Sequence, residues 1–312
     1  MAVTNTILDH IGNTPLINLE EGIIAKCEYM NPSGSIKARM AKYMIERAEA
    51  EGLLKPGHTI VEATSGNTGN AMSMVAAVKG YKMIVLQPSG YSSERMQISK
   101  GLGAEIRFVG HFQVNEALQE ARRLGRLEDH YNPAQFDSEW NVEENRVWLA
   151  REIIDQLPPD VRIDAVVQGV GTGGTLIGVA KGLREWHNPN LLSFAMEPTE
   201  SRIIECCIAA EHRIEGIADG FVPSIYERHK HEVTAVIHVS GDSAFNCAYE
   251  LANQNGLFVG PSSGANLWAA RMVRKRYPQC RTILTFLCDK AEKYLTLMHN
   301  VEPVVDRLCK NA

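Results

Sequence analysis

The sequence predicts an α/β protein with mostly parallel sheets that carry helices on both faces. Its 312 residues are 45% hydrophobic and 22% charged, which is typical of globular proteins and gives enough chain for two modest domains. Short β-rich runs alternate with helix-length segments, and this alternation is typical of parallel sheets. Because ligands bind such sheets at the carboxyl ends of the strands, we expect functional residues in the loops that directly follow them.

Seven runs rich in β-branched and other apolar residues are predicted to be strands. They are Thr59–Glu62, Met83–Gln87, Glu105–Val109, Asp164–Gln168, Leu192–Glu197, Thr234–Val239 and Thr282–Leu287. Helical spacing of apolar residues or helix-forming composition predicts helices at Ala38–Glu51, Gln113–Asp129 and Asp137–Gln156. The connection from Arg213 to His231 is long, and loops of that length are often functional.

The net charge of −5 provides no basic field, so nucleic acid and anionic membranes are poor candidate partners and small molecules are better ones. The amino terminus lacks the pattern of a secretory signal, and no apolar run is long enough to span a bilayer, which predicts a cytoplasmic protein. The seven cysteines form no Cys-x-x-Cys pair and are odd in number, so we expect reduced thiols and no metal site.

Lys37 lies between a turn of small residues and a helix-like segment. A strand-like run ends near Tyr29, Asn31–Gly34 has the composition of a turn, and the helical pattern begins at Ala38. Because the amino terminus of a helix disfavours a nearby cation, a lysine there can lose its proton more readily and attack a carbonyl as a free amine. On this stretch alone, a lysine that merely caps a solvated helix is the favoured interpretation, and the rest of the chain changes that balance.

A polar loop follows the predicted strand Thr59–Glu62 and opens a helical run. It consists of Thr64, Ser65, Gly66, Asn67, Thr68 and Gly69. Hydroxyl groups, an amide and two glycines at the start of a helix form a suitable site for a carboxylate. A simple helix cap would use one or two of them, so a cap and a carboxylate site both remain open.

A glycine-rich loop follows the predicted strand Asp164–Gln168. It contains Gly169, Gly171, Thr172, Gly173, Gly174 and Thr175 and also opens a helix-like run. Glycines let backbone amides approach an anion, and the helix dipole adds to the attraction, so the loop predicts a phosphate site. It has neither the lysine of a nucleotide P-loop nor the Gly-x-Gly-x-x-Gly spacing, which favours a compact monophosphate over ATP or NAD. A tight structural turn is the alternative.

A third loop, Gly260–Gly264, includes Ser262 and precedes another helical run. A hydroxyl at this point could contact a ring nitrogen or could cap the helix. A reactive lysine, a monophosphate site and a carboxylate site in one α/β chain are together what pyridoxal phosphate and an amino-acid substrate require.

The chain resembles the cysteine synthase and cystathionine β-synthase family of pyridoxal phosphate enzymes, which have fold type II, like the tryptophan synthase β subunit. The motifs that carry the resemblance follow the family's order over nearly the whole chain: Gly12–Leu16, Asn31–Lys37, Thr64–Gly69, Gly171–Thr175 and Gly260–Gly264. They are highly specific for the fold and the cofactor and less specific for the substrate. The resemblance implies two three-layer αβα lobes, a larger cofactor-binding lobe of residues 1–38 and 146–312, a smaller mobile substrate lobe of residues 39–145, and a homodimer.

The resemblance also implies a role for each motif. Lys37 would hold the cofactor as a Schiff base and would take the α-proton of the substrate as a general base. Asn67 would hydrogen-bond the ring hydroxyl, and Ser262 would face the pyridine nitrogen. The residues expected at the cofactor phosphate are Gly171, Thr172, Gly173, Gly174 and Thr175, and those expected at the substrate carboxylate are Thr64, Ser65, Gly66, Asn67 and Thr68.

The implied reaction is β-replacement. An O-activated L-serine, most simply O-acetylserine, loses its leaving group to give a bound aminoacrylate, and sulfide adds to it to give L-cysteine. Homocysteine and amines stay open as other nucleophiles, and so does dehydration of serine or threonine. A non-catalytic, peptide-binding relative is a further alternative, and the presence of Lys37 argues against it.

Three positions depart from the family's common pattern. Ala218 stands where many relatives have glycine, Asn70 where an aliphatic residue is common, and Cys288–Tyr294 where a Pro-Asp-Ser-Gly-Glu-Arg-Tyr-like stretch is usual. Drift and altered specificity, such as a pocket narrowed by the methyl group of Ala218, both remain open. The glutamine that cysteine synthases usually present to the substrate carboxylate is not evident near Asp129–Asn132, and Gln135 does not clearly replace it.

Overall fold

The computed structural model describes residues 3–298. Its strands are β1 (Leu16–Glu20), β2 (Ile23–Lys26), β3 (Thr59–Ala63), β4 (Lys82–Ser89), β5 (Glu105–His111), β6 (His130–Tyr131), β7 (Ala165–Gly169), β8 (Leu192–Pro198), β9 (Ala235–Val239) and β10 (Ile283–Phe286). Its helices are α1 (Lys37–Ala50), α2 (Asn67–Lys79), α3 (Ser93–Gly101), α4 (Asn115–Leu124), α5 (Glu139–Glu144), α6 (Ala150–Gln156), α7 (Gly174–Trp186), α8 (Ile203–Cys206), α9 (Ser224–His229), α10 (Gly241–Asn255), α11 (Pro261–Arg276) and α12 (Leu295–Met298).

The strands form two sheets, and the predicted mostly parallel α/β fold is confirmed. The six-stranded sheet has the order β1-β2-β10-β7-β8-β9, and the four-stranded sheet has the order β5-β4-β3-β6. Only the β1–β2 pair is antiparallel among the strand pairs of residues 3–298. All seven predicted strands are present, with ends that differ from the prediction by two residues at most.

Two elements differ from the sequence prediction for local reasons. The helix predicted over Gln113–Asp129 is shorter, since α4 ends at Leu124 and is followed by Gly125, a residue of low helix propensity that packs closely on Asn132. The helix predicted over Asp137–Gln156 contains a π-helical segment, Asn145–Leu149, between α5 and α6. Strand β6 has only two residues, too few for a recognisable alternation of side chains.

Helices cover both faces of each sheet, which gives two three-layer arrangements. In the large sheet, Ala165 and Val167 pack with residues of α10 and α11, whereas Val166 packs on the opposite face with residues of α6 and α7. In the small sheet, Ile60 packs with α1 and α2, and Val61 packs with α4. This alternation is the period-two pattern of strands that are buried on both faces.

Arg39 fixes the first turn of α1 and therefore the position of Lys37. Its guanidinium group is fully buried and donates to Glu28 through Nε and Nη2, both at 2.8 Å. It also donates to Glu152 through Nη1 and Nη2 at 2.8 and 2.7 Å, and Lys26 Nζ lies 2.6 Å from Glu152 Oε1. This ionic cluster joins β2, α1 and α6 immediately beside Lys37.

The cluster predicts a loss of stability in acid. Burial alone would raise the pKa of Glu152, but hydrogen bonds and charge from Arg39 and Lys26 outweigh it and lower the pKa to about 2. A carboxylate whose folded pKa is depressed stabilises the fold above its unfolded pKa of about 4.3. We expect about 3 kcal/mol of stability to be lost as the pH falls from about 4.5 to about 2.

Urea unfolding midpoints measured across this pH range would test the expectation. Glu152→Gln should flatten the acid limb of the stability curve, whereas Glu227→Gln, at an exposed pair with Lys230, should leave its slope unchanged. Equal slopes in Glu152→Gln and in the unaltered protein would contradict the prediction.

Candidate active site

The predicted functional loops meet at the carboxyl ends of the parallel strands. Strand β3 leads into the loop that opens α2, β7 leads into the loop that opens α7, and β10 ends beside the start of α1. Two adjoining cavities lie between these loops, with empty volumes of about 440 and 320 Å³, and we name them the first and the second cavity. Both are lined by Lys37, Asn67, Gly171, Thr172 and Gly216.

Lys37 is half-buried and is the first residue of α1. The backbone on its amino side is held by the chain after β10, since Ile36 N donates to Cys288 O at 2.8 Å and Ser35 forms an isolated bridge with Asp289. The side chain lies on the wall that the two cavities share, so its amine can reach ligands in either of them.

The glycine-rich loop forms one wall of the first cavity and turns into α7. Gly171, Thr172, Gly173 and Thr175 line this cavity, and Gly174 is the first residue of the helix. Gly171 is required for close packing, because a Cβ there would lie 2.7 Å from Gly216 O. Gly173 has φ +89°, a left-handed conformation that glycine adopts without strain. The amides at the start of α7 therefore face a cavity suited to a compact anion.

The Thr172 hydroxyl belongs to a short hydrogen-bonded chain behind the glycine-rich loop. Thr172 Oγ1 accepts from Gly174 N at 3.2 Å and from Asn141 Nδ2 at 3.0 Å. Asn141 Nδ2 also donates to Gln135 O at 2.9 Å. The Asn141 amide thus connects the glycine-rich loop, which lines the first cavity, with Gln135, which lines the second.

Asn67 lies at the start of α2 and is oriented by the carboxyl-terminal stretch that departs from the family pattern. Its Nδ2 donates to Asp289 Oδ2 at 2.5 Å, and Lys293 Nζ donates to its Oδ1 at 2.9 Å. Tyr294 donates its hydroxyl to Asp289 and lies 3.3 Å from Asn67 Nδ2. Burial lowers the pKa of Lys293 to about 8. The unusual residues 288–294 therefore position Asn67.

Ser262 is buried at the first turn of α11 and lines the first cavity. Asn266, one turn later, ties this helix to both neighbouring strands: Gly169 N donates to its Oδ1, and its Nδ2 donates to Phe286 O, both at 2.9 Å. Burial raises the pKa of the adjacent Cys288 thiol to about 11, so the thiol is neutral at physiological pH. Ser262 is thus a neutral hydroxyl held on a rigid helix start.

Most residues of the polar loop after β3 line the second cavity, and Gln135 joins them. Thr64, Ser65, Asn67 and Thr68 line it. Gly66 does not; its φ is +151° and a Cβ would lie 2.6 Å from Arg95 Cδ. Gln135, which the sequence did not clearly assign, also lines this cavity. Its Oε1 accepts from Thr68 Oγ1 at 2.6 Å and its Nε2 donates to Ala63 O at 2.8 Å.

Two of the departures from the family pattern lie outside both cavities. Asn70 Nδ2 donates to Arg95 O at 2.6 Å and to Ser99 Oγ at 2.8 Å, so Asn70 joins α2 to α3. Ala218 is buried with φ 52° and lines a third cavity instead. Ala218 is therefore not among the residues that line the first and second cavities, where its methyl group could have narrowed the substrate pocket.

The long connection between β8 and β9 contributes two carboxylates that the sequence did not single out. Glu215 lines the first cavity and is ion-paired with the fully buried Arg95 of α3. Asp219 is buried and lines the second cavity. The only signal in the sequence was the length of this connection, which did not identify the individual side chains.

Glu197, Glu205 and His238 form one further group of polar side chains. Their donor atoms lie within 4.8 Å of one another. His238 Nε2 is 3.0 Å from Glu205 Oε2, a contact that a protonated imidazole satisfies as an ion pair.

Comparisons with known proteins agree with this geometry. The model of the pyridoxal-phosphate dependent enzyme family matches residues 7–289. A cysteine synthase from Staphylococcus aureus is 36% identical over 94% of this chain and 96% of its own length.

The chain belongs to the pyridoxal-phosphate dependent enzyme family. Among solved structures, O-ureido-L-serine synthase superposes with a TM-score of 0.90 at 32% identity and covers 100% of both chains. The O-acetylserine dependent cystathionine β-synthase of Helicobacter pylori superposes with a TM-score of 0.88 at 32% identity and covers 95% of this chain and 98% of its own. The protein is thus a pyridoxal-phosphate-dependent enzyme with the fold-type-II architecture that the resemblance implied.

The residues of the first cavity fit pyridoxal phosphate. The glycine-rich loop has no room for Cβ atoms and leads directly into the start of α7. This arrangement suits the phosphate group. A lysine amine and a neutral hydroxyl line the same cavity, which suits the aldehyde and the ring. Within residues 3–298 no helix is long and apolar enough to cross a membrane.

Gly174→Ala is expected to weaken cofactor binding. A Cβ at this position would lie 2.0 Å from Asn141 Oδ1, so Asn141 and its partner Thr172 must shift. We expect a loss of about 1–3 kcal/mol of stability. The dissociation constant of pyridoxal phosphate should rise roughly tenfold or more, because each 1.4 kcal/mol is a factor of ten.

A titration of the cofactor-free protein with pyridoxal phosphate, followed by absorbance, would measure this effect. Gly101→Ala is the matched control, because a Cβ there meets no atom within 4 Å. Equal dissociation constants for the two variants would show that the phosphate loop tolerates the displacement of Asn141.

Proposed function

We infer that the enzyme catalyses β-replacement on an O-activated L-serine, and we propose O-acetylserine as the donor, sulfide as the nucleophile and L-cysteine as the product. The observation that carries this proposal is the position of Lys37 on the wall shared by a first cavity suited to an anion and a polar second cavity. The likeness to a cysteine synthase over nearly the whole chain supports the choice of donor and nucleophile.

When bound, pyridoxal phosphate supplies an electron sink that stabilises negative charge on the α-carbon of the substrate. Lys37 would hold the cofactor and then, as a free amine, move the proton of the α-carbon. Ser262 would accept or donate a hydrogen bond at the ring nitrogen without adding charge. Asn67, oriented by Asp289 and Lys293, would contact the ring hydroxyl.

The second cavity would orient the amino-acid substrate. Hydroxyl groups of Thr64, Ser65 and Thr68 surround it, and the Gln135 amide lies among them. Such donors bind a carboxylate and fix the direction of the Cα–H bond relative to Lys37. Gly66 would contribute its backbone amide, which at present donates to Thr64 Oγ1 at 2.9 Å.

The lobes implied by the resemblance belong to the same proposal. Residues 39–145 contain the small sheet, and residues 1–38 and 146–312 contain the large sheet. Contacts between them include the Arg95–Glu215 ion pair and the 3.1 Å hydrogen bond from Val114 N to Asp219 O. Movement of the smaller lobe would make and break these contacts around the substrate. We further propose a cytoplasmic homodimer.

A spectral titration of the holoenzyme tests the proposed donor and nucleophile. O-acetylserine, O-phosphoserine and serine are added separately, and each sample then receives sulfide or homocysteine. We expect O-acetylserine to shift the cofactor absorbance and sulfide to restore it with the release of cysteine. A shift with another donor would replace O-acetylserine in the proposal, and pyruvate released without any nucleophile would identify a dehydratase.

A further inference from the structure

Asp219 separates the second cavity from a third one. Its side chain lines the second cavity together with Lys37 and Ser65. The residues on either side of it, Ala218 and Gly220, line the third cavity, which has an empty volume of about 360 Å³. One carboxylate therefore lies at the boundary between the substrate cavity and a neighbouring cavity.

The backbone around Asp219 is held in an unusual conformation. Ala218 has φ 52° and Gly220 has φ 97°, so left-handed residues flank Asp219. Ala218 N donates to Val170 O and Val114 N donates to Asp219 O, both at 3.1 Å. A left-handed alanine costs roughly 1–2 kcal/mol, and such strain is concentrated at functional sites. The strained turn keeps the carboxylate at the boundary between the cavities.

The carboxylate is buried and incompletely paired. Asp219 is only 6% exposed, and its Oδ1 has no hydrogen-bond partner among residues 3–298. Burial raises its pKa, although hydrogen bonding from Ser65 and the charges of His212, Arg95 and Lys37 oppose the increase. An unpaired buried carboxylate oxygen is costly to the fold and is a ready acceptor for a proton from a bound ligand.

The walls of the third cavity favour an amine over an amino acid. Tyr91 and Phe112 present aromatic rings whose centroids are 6.0 Å apart, and Glu211 lies at its exposed edge. No lysine or arginine is among the described residues that line it, and burial lowers the pKa of His212, which also lines it, so a carboxylate would have no permanently charged cation there. Aromatic faces and carboxylates both attract a cationic or polarised amine.

We propose that the third cavity binds a primary amine without a carboxylate group and that Asp219 is the general base for its attack on the substrate. This inference rests on the β-replacement proposed above and adds a second class of nucleophile to it. Sulfide requires neither group, because hydrosulfide is small and already carries a negative charge at neutral pH. An amine nucleophile therefore gives both Asp219 and the third cavity a role in the reaction, whereas sulfide would need neither.

The step balances without a further reactant. The bond between the β-carbon and the leaving group breaks in the first half of the reaction, and the leaving group departs with its electron pair. The amine reacts in its neutral form: its nitrogen donates its electron pair to the β-carbon, a C–N bond forms, and one N–H bond breaks. Its proton goes to Asp219 Oδ1, and Lys37 returns a proton to the α-carbon. The product is an N-substituted 2,3-diaminopropionate.

Rapid mixing of the donor-loaded holoenzyme with benzylamine or with sulfide tests this role. We expect Asp219→Asn to slow the reaction with benzylamine by about 10²-fold or more, the usual contribution of a general base. The same variant should react severalfold faster with sulfide, because removal of a buried negative charge favours the approach of an anion. Asp155→Asn, at an exposed position on α6, should change neither rate.

Binding to the third cavity has a readout that is independent of catalysis. Benzyl alcohol has the shape of benzylamine but is a poor nucleophile, and saturation-transfer NMR of the resting holoenzyme should detect its binding. Ala210→Phe would place a ring in the third cavity and should abolish that signal. It should also raise the KM for benzylamine more than tenfold.

The outcomes separate this inference from the proposed function. If no donor changes the cofactor absorbance and no nucleophile gives a product, β-replacement itself is refuted. If sulfide gives cysteine but benzylamine gives no diaminopropionate product, the inference fails and β-replacement stands. Equal effects of Asp219→Asn on both nucleophiles would likewise overturn the role of Asp219 as a base.

Discussion

Lys37→Ala is expected to remove the near-visible absorbance of the bound cofactor and to lower turnover roughly 10⁴-fold or more, as loss of a catalytic nucleophile commonly does. Lys37 lines both the first and the second cavity, whereas Lys290 and Lys293 line neither, and Lys293 Nζ donates to Asn67 Oδ1 instead. Absorbance and steady-state turnover of the purified variant would measure both effects. The fold should persist, because Lys37 is half-buried and Arg39 continues to anchor α1.

Lys42→Ala is the matched control for this substitution. Lys42 lies on the same helix, where it forms an i,i+4 pair with Glu46 on the surface. We expect this variant to retain the cofactor absorbance and turnover. An unchanged spectrum in Lys37→Ala would mean that another lysine holds the cofactor.

Arg39→Met is expected to cost about 3–5 kcal/mol of folding free energy, because it leaves the buried carboxylate of Glu28 without its cation and leaves Glu152 with Lys26 alone. The midpoint of thermal unfolding should fall by roughly 5–8 °C in a protein of 312 residues. Since Arg39 lies two residues after Lys37, the affinity for pyridoxal phosphate should also decrease. Calorimetry of the cofactor-free protein separates the effect on folding from the effect on the cofactor.

Arg47→Met tests whether this cost depends on burial. Arg47 lies on the same helix and pairs with Glu51, and both side chains are more than 40% exposed. We expect a change within about 0.5 kcal/mol, as for other exposed ion pairs. Similar destabilisation by the two substitutions would show that helix propensity, and not the buried cluster, determines the result.

The parts of the site that could be predicted from the sequence are those that local chemistry specifies. The glycines and Thr172 after β7 and the hydroxyls after β3 are adjacent in sequence to strands that are apolar and easily recognised. A loop at the carboxyl end of a parallel strand faces the ligand edge of the sheet whatever the details of packing. Lys37 followed from the turn before α1 in the same way.

The parts that escaped prediction depend on which distant segments meet. Gln135 follows β6, a two-residue strand without a detectable pattern, and it reaches Thr68 only because β6 pairs with β3. Asp219 lies in a connection whose backbone is fixed by contacts with Val114 and Val170. Asn70 looked like a pocket residue because it adjoins the polar loop, but one turn of helix directs its side chain to α3.

The amide of Asn141 has a consequence for how the specificity of this enzyme can evolve. It donates both to Gln135 O beside the proposed carboxylate site and to Thr172 Oγ1 in the phosphate loop. Residues that share a hydrogen-bond partner have non-additive mutational effects. Substitutions that change the proposed carboxylate site are therefore expected to change the affinity for the cofactor as well. Selection for new substrates would therefore act more freely at Asp219, which makes no hydrogen bond to this amide within residues 3–298.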